Sequence, residues 1–226
     1  LSLICPSNWM YRCSKNSQVT GSFDTVVIPN LLDTNIFVPR ANEVLKKEYK
    51  LKNNDKVILF GAMNADVDPN KGLTLLLKAL DILSPSYTVI LYGSSTNINI
   101  QVKQKLIILP NIFYENDIID LYNFADVMVV PSLYENLSNT IIESMSCGTP
   151  VVCFDVGGNL DIIEHKINGF VATRYCPESL GDGINWVIEN NSNLDLSINA
   201  RKSVTEKFSQ KVVVSKHIDL YKKLHN

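Results

Sequence analysis

Two glutamates, Glu135 and Glu143, stand with seven residues between them in the run Tyr134-Glu135-Asn136-Leu137-Ser138-Asn139-Thr140-Ile141-Ile142-Glu143. The run follows an apolar segment that reads as a strand ending near Ser132, and Ser138 and Asn139 are both residue types that cap a helix N-terminus. Glu135 is therefore expected in a loop above a sheet edge, and Glu143 about one turn into a helix. Backbone N–H groups at residues 139–141 would lack intrahelical partners and, with the helix dipole, would favour a phosphate. A carboxylate on each side can accept hydrogen bonds from ring or ribose hydroxyls, an arrangement that suits a sugar linked to a nucleoside diphosphate. The plainer alternative is a loop carboxylate and a solvated helix carboxylate, the usual state of surface glutamates.

Other reactive residue types offer less. His165, His217 and His225 are the histidines, and their placement suggests neither a triad nor a metal site. His165 follows Glu164 at an expected helix end, where it would stabilise the dipole. The five cysteines include no Cys-x-x-Cys pair and none lies near a histidine at zinc-finger spacing, which fits a reduced, cytosolic setting. Cys147 beside Gly148 is expected to be buried and unactivated. No carboxylate cluster suggests a metal. Trp9 and Trp186 read as packing residues, and Lys46-Lys47 and Lys222-Lys223 as solvated faces.

With 21 Lys and Arg against 23 Asp and Glu, the net charge of −2 offers no general attraction for nucleic acid or an anionic membrane, so any anion site must be local. Apolar runs such as Val57 to Phe60 and Val127 to Val130 are strand-sized, far below the roughly 20 residues a membrane span needs. The opening Leu1-Ser2-Leu3-Ile4-Cys5-Pro6-Ser7 has neither an initiator Met nor the form of a signal peptide, and reads as mid-protein. Part of an active site is accordingly expected elsewhere in a longer chain.

Positioning these residues falls to a succession of short apolar runs separated by helix-length amphipathic stretches, the pattern of a parallel α/β sheet. The periodicity predicts strands at Thr25 to Ile28, Lys56 to Phe60, Tyr87 to Tyr92, Leu106 to Leu109, Asp126 to Val130 and Pro150 to Phe154. Those from Val57 onward are apolar on both faces, as central parallel strands must be. Leu73, Leu76, Leu77, Leu80 and Leu83 form one helical stripe; Ile118 to Phe124 and Thr140 to Cys147 behave similarly. Polar turns are expected at Asn53-Asn54-Asp55 and Ser84-Pro85-Ser86. Gly61, Gly93 and Gly157-Gly158 each follow a strand at the carboxyl edge, where open α/β sheets place ligands. Ser209 to Leu224 reads as a terminal helix with Val214, Ile218, Tyr221 and Leu224 as its apolar stripe.

The passage from Val130 through Glu135 and Glu143 to Cys147-Gly148-Thr149-Pro150-Val151-Val152 closely resembles the signature of the family 4 retaining glycosyltransferases. That signature is a Glu-x7-Glu motif before a small-residue turn into the next strand. Val27-Ile28-Pro29-Asn30 with Asp33 and Phe37-Val38-Pro39 is similar to the family's opening segment. Lys71-Gly72 occupies its Lys-Gly position, and Gly157-Gly158 through Asn168-Gly169 matches its diglycine loop and following turn.

The resemblance implies a Rossmann-like parallel sheet flanked by helices, one half of a GT-B architecture in which two such domains face a cleft. On this view residues 1–20 are the tail of the amino-terminal acceptor domain and residues 21–208 the nucleotide-sugar-binding domain. Residues 209–226 would then be a helix crossing back to the first domain. Glu143 would bind the ribose hydroxyls, Glu135 the transferred sugar, and Lys71 the diphosphate, assisted by backbone amides of Ser138, Asn139 and Thr140. Gly61 and Ala62 would line the donor pocket. The base would lie near Asn111-Ile112-Phe113, and Gly158 would let the chain approach the ligand closely. Two departures stand out: Gly61-Ala62-Met63 lacks the Arg that often follows the first strand's glycine, and Asn136 replaces the usual glycine after the first Glu.

The implied activity is retaining, metal-independent hexose transfer from a nucleotide sugar donor to a glycan or lipid-linked acceptor in bacterial polysaccharide biosynthesis. No cofactor or nucleic-acid partner is expected. The setting would be cytoplasmic, with peripheral association at the inner face of the membrane only through the absent domain. The isolated chain is expected to bind donor weakly and turn over nothing. A nucleotide-sugar epimerase of the same architecture and a non-catalytic nucleotide-sugar-binding module are the alternatives.

Overall fold

The computed structural model describes residues 2–41, 43–52, 54–94 and 98–225; Leu1 and Asn226 of the expected terminal segments, and Asn53 of the expected 53–55 turn, lie outside them. Four strands, β3 (Val57–Gly61), β4 (Thr88–Tyr92), β6 (Val127–Val130) and β7 (Val151–Phe154), are buried at every position. Such strands are stable only where helices cover both faces. They form the centre of a six-stranded sheet in the order β5-β4-β3-β6-β7-β8, with every neighbouring pair parallel. The edges are β5 (Lys105–Leu109) and β8 (Gly169–Ala172), both less buried.

Alternate residues of each strand feed opposite cores. On one face, Ile58, Phe60, Val127 and Val129 pack with Leu76 and Leu80 of α3 (Leu73–Leu80) and with Leu180 and Ile184 of α7 (Pro177–Leu194). On the other, Leu59, Met128 and Val130 pack with Tyr122 of α4 (Glu115–Phe124), Ile141 and Met145 of α5 (Asn139–Ser146), and Val204 of α8 (Leu196–Phe208). Each fully buried aliphatic side chain contributes about 1.5–3 kcal/mol relative to exposure. The strand order reverses between β3 and β6, which makes the crevice beyond their carboxyl ends the natural ligand position.

Three sequence expectations change. Thr25 to Ile28 does not join this sheet: β2 (Asp24–Val27) pairs in parallel with β1 (Ser2–Cys5) in a separate two-stranded sheet, the two linked through α1 (Asn8–Lys15). Asp24 at its start is exposed, whereas the central strands are buried at every position. The terminal helix α9 (Gln210–His225) forms, but Val213 and Leu220 are its buried residues and pack with Val26 and Ile28. The expected stripe of Val214, Ile218, Tyr221 and Leu224 faces outward, 40–60 % exposed.

His165 is the third correction. Helix α6 (Asn159–Ile162) ends three residues earlier, and the His165 ring instead accepts the Val171 N–H at 3.1 Å and lies 4.5 Å from the Phe170 ring. Burial and Lys166 lower its pKa, so the imidazole is a neutral acceptor and does not serve as a cation on a dipole. Among the described residues no helix is long and apolar enough to cross a membrane.

Candidate functional site

At the switch point, β3 runs out into Gly61-Ala62 and β6 into Pro131-Ser132. Between these ends lies a cleft of about 230 Å³ whose walls include Lys71, Glu135 and the start of α5 at Ser138, Asn139 and Thr140. A second recess of about 380 Å³ is lined by Ile112, Phe113, Tyr122 and Glu143. Ala62 and Thr140 border both, so the two recesses form one groove with Glu135 at one end and Glu143 at the other. The structure thus brings together ten of the eleven sequence-predicted site residues; Gly158 stands apart.

Backbone close approach seats the Glu135 end. Gly72 adopts φ +75°, and a Cβ there would stand 1.9 Å from the Pro131 carbonyl oxygen, so only glycine lets the Lys71 turn close onto the end of β6. That turn, a single 3₁₀ turn at Pro69–Lys71, is capped by Asp68, which accepts the Asn70 N–H at 2.9 Å. Leu133 N–H donates to the Asn70 carbonyl at 2.8 Å, tying the turn to the Glu135 loop. Gly157, at φ +54°, packs so tightly that its Cβ would stand 1.4 Å from the Glu135 carbonyl oxygen. At Gly158 a Cβ would meet the Asn136 carbonyl oxygen at 2.1 Å and Ser7 Cβ at 2.6 Å. Glycine is therefore required there by its protein neighbours. Burial raises the Glu135 pKa, opposed by Lys71 and by a hydrogen bond from Ser132.

At the other end, Glu143 sits one turn inside α5, partly buried, where its carboxylate Oε2 accepts the Tyr122 hydroxyl at 2.8 Å. Burial raises its pKa and the Tyr122 bond opposes the rise. Neither glutamate is the freely solvated carboxylate of the plainer alternative. Ser138 takes the N-cap position of α5 without a side-chain cap bond, and the N–H groups of Asn139, Thr140 and Ile141 make no hydrogen bond outside their helix among the described residues. Asn139 and Thr140 border the groove between the glutamates, and their free N–H groups suit an anion. Asn30 Nδ2 donates to Asn139 Oδ1 at 2.9 Å, which anchors the segment after β2 beside the helix start.

Lys71 is the one Lys or Arg side chain among the described residues lining either recess. Arg174, which could have substituted for an arginine after β3, instead contacts Asp155 on the far side of Glu135, near Trp9 and Tyr175. Trp9 is 36 % exposed there and is no core residue. Phe113 and Tyr114, 80 % and 76 % exposed, stand at the mouth of the larger recess. Cys147 is buried, its thiol pushed up to about 12, and takes no part. Tyr92 and Tyr122 went unpredicted because Tyr92 ends an apolar strand and Tyr122 lies on the buried side of an amphipathic helix, so each reads as core.

The family model for glycosyl transferases group 1 matches residues 41–203. An uncharacterized glycosyltransferase of Methanocaldococcus jannaschii is 29 % identical over 189 residues, covering 78 % of this chain and 47 % of that protein. Sucrose-phosphate synthase from Thermosynechococcus elongatus superposes with a TM-score of 0.84 at 22 % identity, covering 99 % of this chain and 58 % of that one. HepE of Anabaena, solved in complex with UDP-glucose, does so at 0.76 and 23 % identity, covering 98 % of this chain and 63 % of that one. The chain spans about half the length of the curated relatives it matches.

Proposed function

The chain belongs to the glycosyl transferases group 1 family, and we propose that its groove binds a nucleoside diphosphate sugar whose hexose is transferred with retention to a glycan or lipid-linked acceptor. The observation that carries this reading is the single groove at the switch point, with Lys71 and Glu135 at one end, Glu143 at the other and free helix N–H groups between. That order along the groove is the order of sugar, diphosphate and ribose in such a donor.

Glu135 accepts hydroxyls of the transferred sugar. Lys71 and the amides of Ser138, Asn139 and Thr140 hold the diphosphate, and Glu143 the ribose. The base lies against Ile112 and Phe113. In the reaction the bond from the anomeric carbon to the diphosphate oxygen breaks and its electron pair stays on that oxygen. The acceptor oxygen bonds the anomeric carbon on the same face, and its proton passes to the departing diphosphate. Lys71 stabilises the charge that develops. No metal is required on this reading, because Lys71 and the helix start supply the positive field. The UDP-glucose complex of HepE makes that donor the first to test.

Residues 1–20 and 209–226 belong, on the same reading, with the acceptor-binding part of the whole protein. What supports this is that α9 packs on Val26 and Ile28 beside β2, the partner of β1 in the separate two-stranded sheet, a grouping that takes in residues 24–28 as well. This chain alone binds donor weakly and transfers nothing. A second reading, a non-catalytic binding module, is favoured by the single cation among the described residues lining the groove. Product analysis of the whole protein by NMR decides: a new glycoside with the donor's anomeric configuration supports transfer with retention. The inverted configuration refutes retention, and donor binding without product supports the module.

A further inference from the structure

We infer that Tyr122 is a positioning residue whose hydroxyl orients the Glu143 carboxylate so that the groove selects ribonucleotides over deoxyribonucleotides; this rests on the nucleotide-sugar reading above. Tyr122 is 1 % exposed and lies beneath the floor of the larger recess. Its phenol has one proton, and a carboxylate can only accept, so the 2.8 Å contact commits that proton to Glu143 Oε2.

The next contact inward then has a defined direction. Tyr92 Oη lies 3.4 Å from Tyr122 Oη. With the Tyr122 proton already given away, Tyr92 must be the donor, and the chain runs Tyr92 to Tyr122 to Glu143. Burial raises both phenol pKa values, so both protons stay in place across the neutral range. Glu143 Oε1 makes no hydrogen bond among the described residues and is the oxygen left for a ligand.

Surrounding residues fix this relay. Thr149 Oγ1 donates to the Tyr122 carbonyl at 2.5 Å, and Ser144 Oγ donates to the Thr149 carbonyl at 3.1 Å, so the small-residue turn after α5 clamps the end of α4. On the sheet side, a Cβ at Gly61 would stand 2.3 Å from Tyr92 Cδ1; glycine at the end of β3 makes room for the ring. A tyrosine that merely filled space would need none of this alignment, and phenylalanine would replace it.

The test is calorimetric titration of the protein and its Tyr122→Phe variant with UDP and with 2′,3′-dideoxy-UDP, whose ribose lacks the hydroxyls Glu143 would accept. A hydrogen bond to a charged group carries about a tenfold or larger effect. Tyr122→Phe is expected to weaken UDP binding about tenfold and leave the dideoxy nucleotide within about twofold. Equal losses for both nucleotides, or no loss for either, overturn the inference. Should Tyr122→Phe not fold, Tyr92→Phe keeps the Tyr122 hydroxyl and removes only its donor. It is then expected to weaken UDP by about two- to threefold and spare the dideoxy nucleotide, and an equal effect on both overturns the inference. If the unaltered protein binds neither UDP nor any other nucleoside diphosphate, the nucleotide-sugar reading itself fails.

Discussion

The Ser7 hydroxyl donates to the Asn136 side-chain carbonyl at 2.9 Å, joining residues 129 positions apart. The Asn136 side chain is the acceptor that binds the β1–α1 junction to the residue after Glu135. A second bond runs alongside, from Asn8 N–H to Asp161 Oδ2 at 2.6 Å. The amino-terminal segment is thus clasped to the Glu135 loop and to the helix at Asn159–Ile162. Ser7→Ala should cost about 1 kcal/mol of stability, the worth of one neutral hydrogen bond. It should also lower the transfer rate more than it raises the KM for donor, because Glu135 is the group left loose. Urea unfolding and steady-state kinetics on the whole protein check both; an unchanged rate would separate the clasp from Glu135.

Gly157 and Gly148 both have positive φ, at +54° and +85°, yet they predict different outcomes. A Cβ at Gly148 finds its nearest neighbour, Pro39 Cγ, at 3.5 Å, so Gly148→Ala should cost only backbone strain of about 1–2 kcal/mol. A Cβ at Gly157 collides with the Glu135 carbonyl, so Gly157→Ala must displace that loop. Thermal unfolding and donor titration should show Gly148→Ala folded with donor affinity intact. Gly157→Ala should lose affinity at least tenfold in whatever fraction folds.

The raised carboxyls of Glu135 and Glu143 set a pH dependence. An acid whose folded pKa exceeds its unfolded value, about 4.3 for glutamate, stabilises the fold below that unfolded value. The contribution is lost as pH rises through the raised folded value. Glu143→Gln should therefore raise stability at pH 7, since Tyr122 can still donate to the amide oxygen and no buried charge remains. Donor binding should fall in the same variant. Urea midpoints measured against pH check the sign; lower stability at pH 7 for the variant would contradict it.

Lys71 is the groove's one cation among the described lining residues, so its removal should weaken donor binding and weaken the transition state further. Lys71→Met is expected to lower kcat by about 10²–10³, the range for losing one preorganised electrostatic group. Lys71→Arg should recover little, because a planar fork does not replace a point charge in the same turn. Activity should persist in EDTA. Rate measurements with saturating donor test all three.

Much of this was legible before the structure. The four buried strands declare themselves by being apolar on both faces, and the Glu135 to Glu143 run places a helix start between two carboxylates. Strand order was hidden, because pairing β3 with β6 is a contact between residues about seventy positions apart. Helix α7 was masked by Gly181 and Gly183, poor helix formers whose missing side chains admit Ile82 and the Phe170 ring. On α9 two helical stripes are available, and only the position of β2 selects Val213 and Leu220. Tyr122 was invisible for a related reason: buried between Leu121 and the α4 end, it has the spacing of a core residue, and only its hydroxyl reveals the second role.

Calorimetric titration with UDP-glucose of the unaltered protein, Lys71→Ala and Glu143→Gln is the most direct test of the groove as a nucleotide-sugar site. Saturable one-to-one binding that weakens at least tenfold in each variant is the expected result, given the charge-assisted bonds each loses. Absence of saturable binding to any nucleotide sugar, or equal affinity in all three proteins, would contradict it.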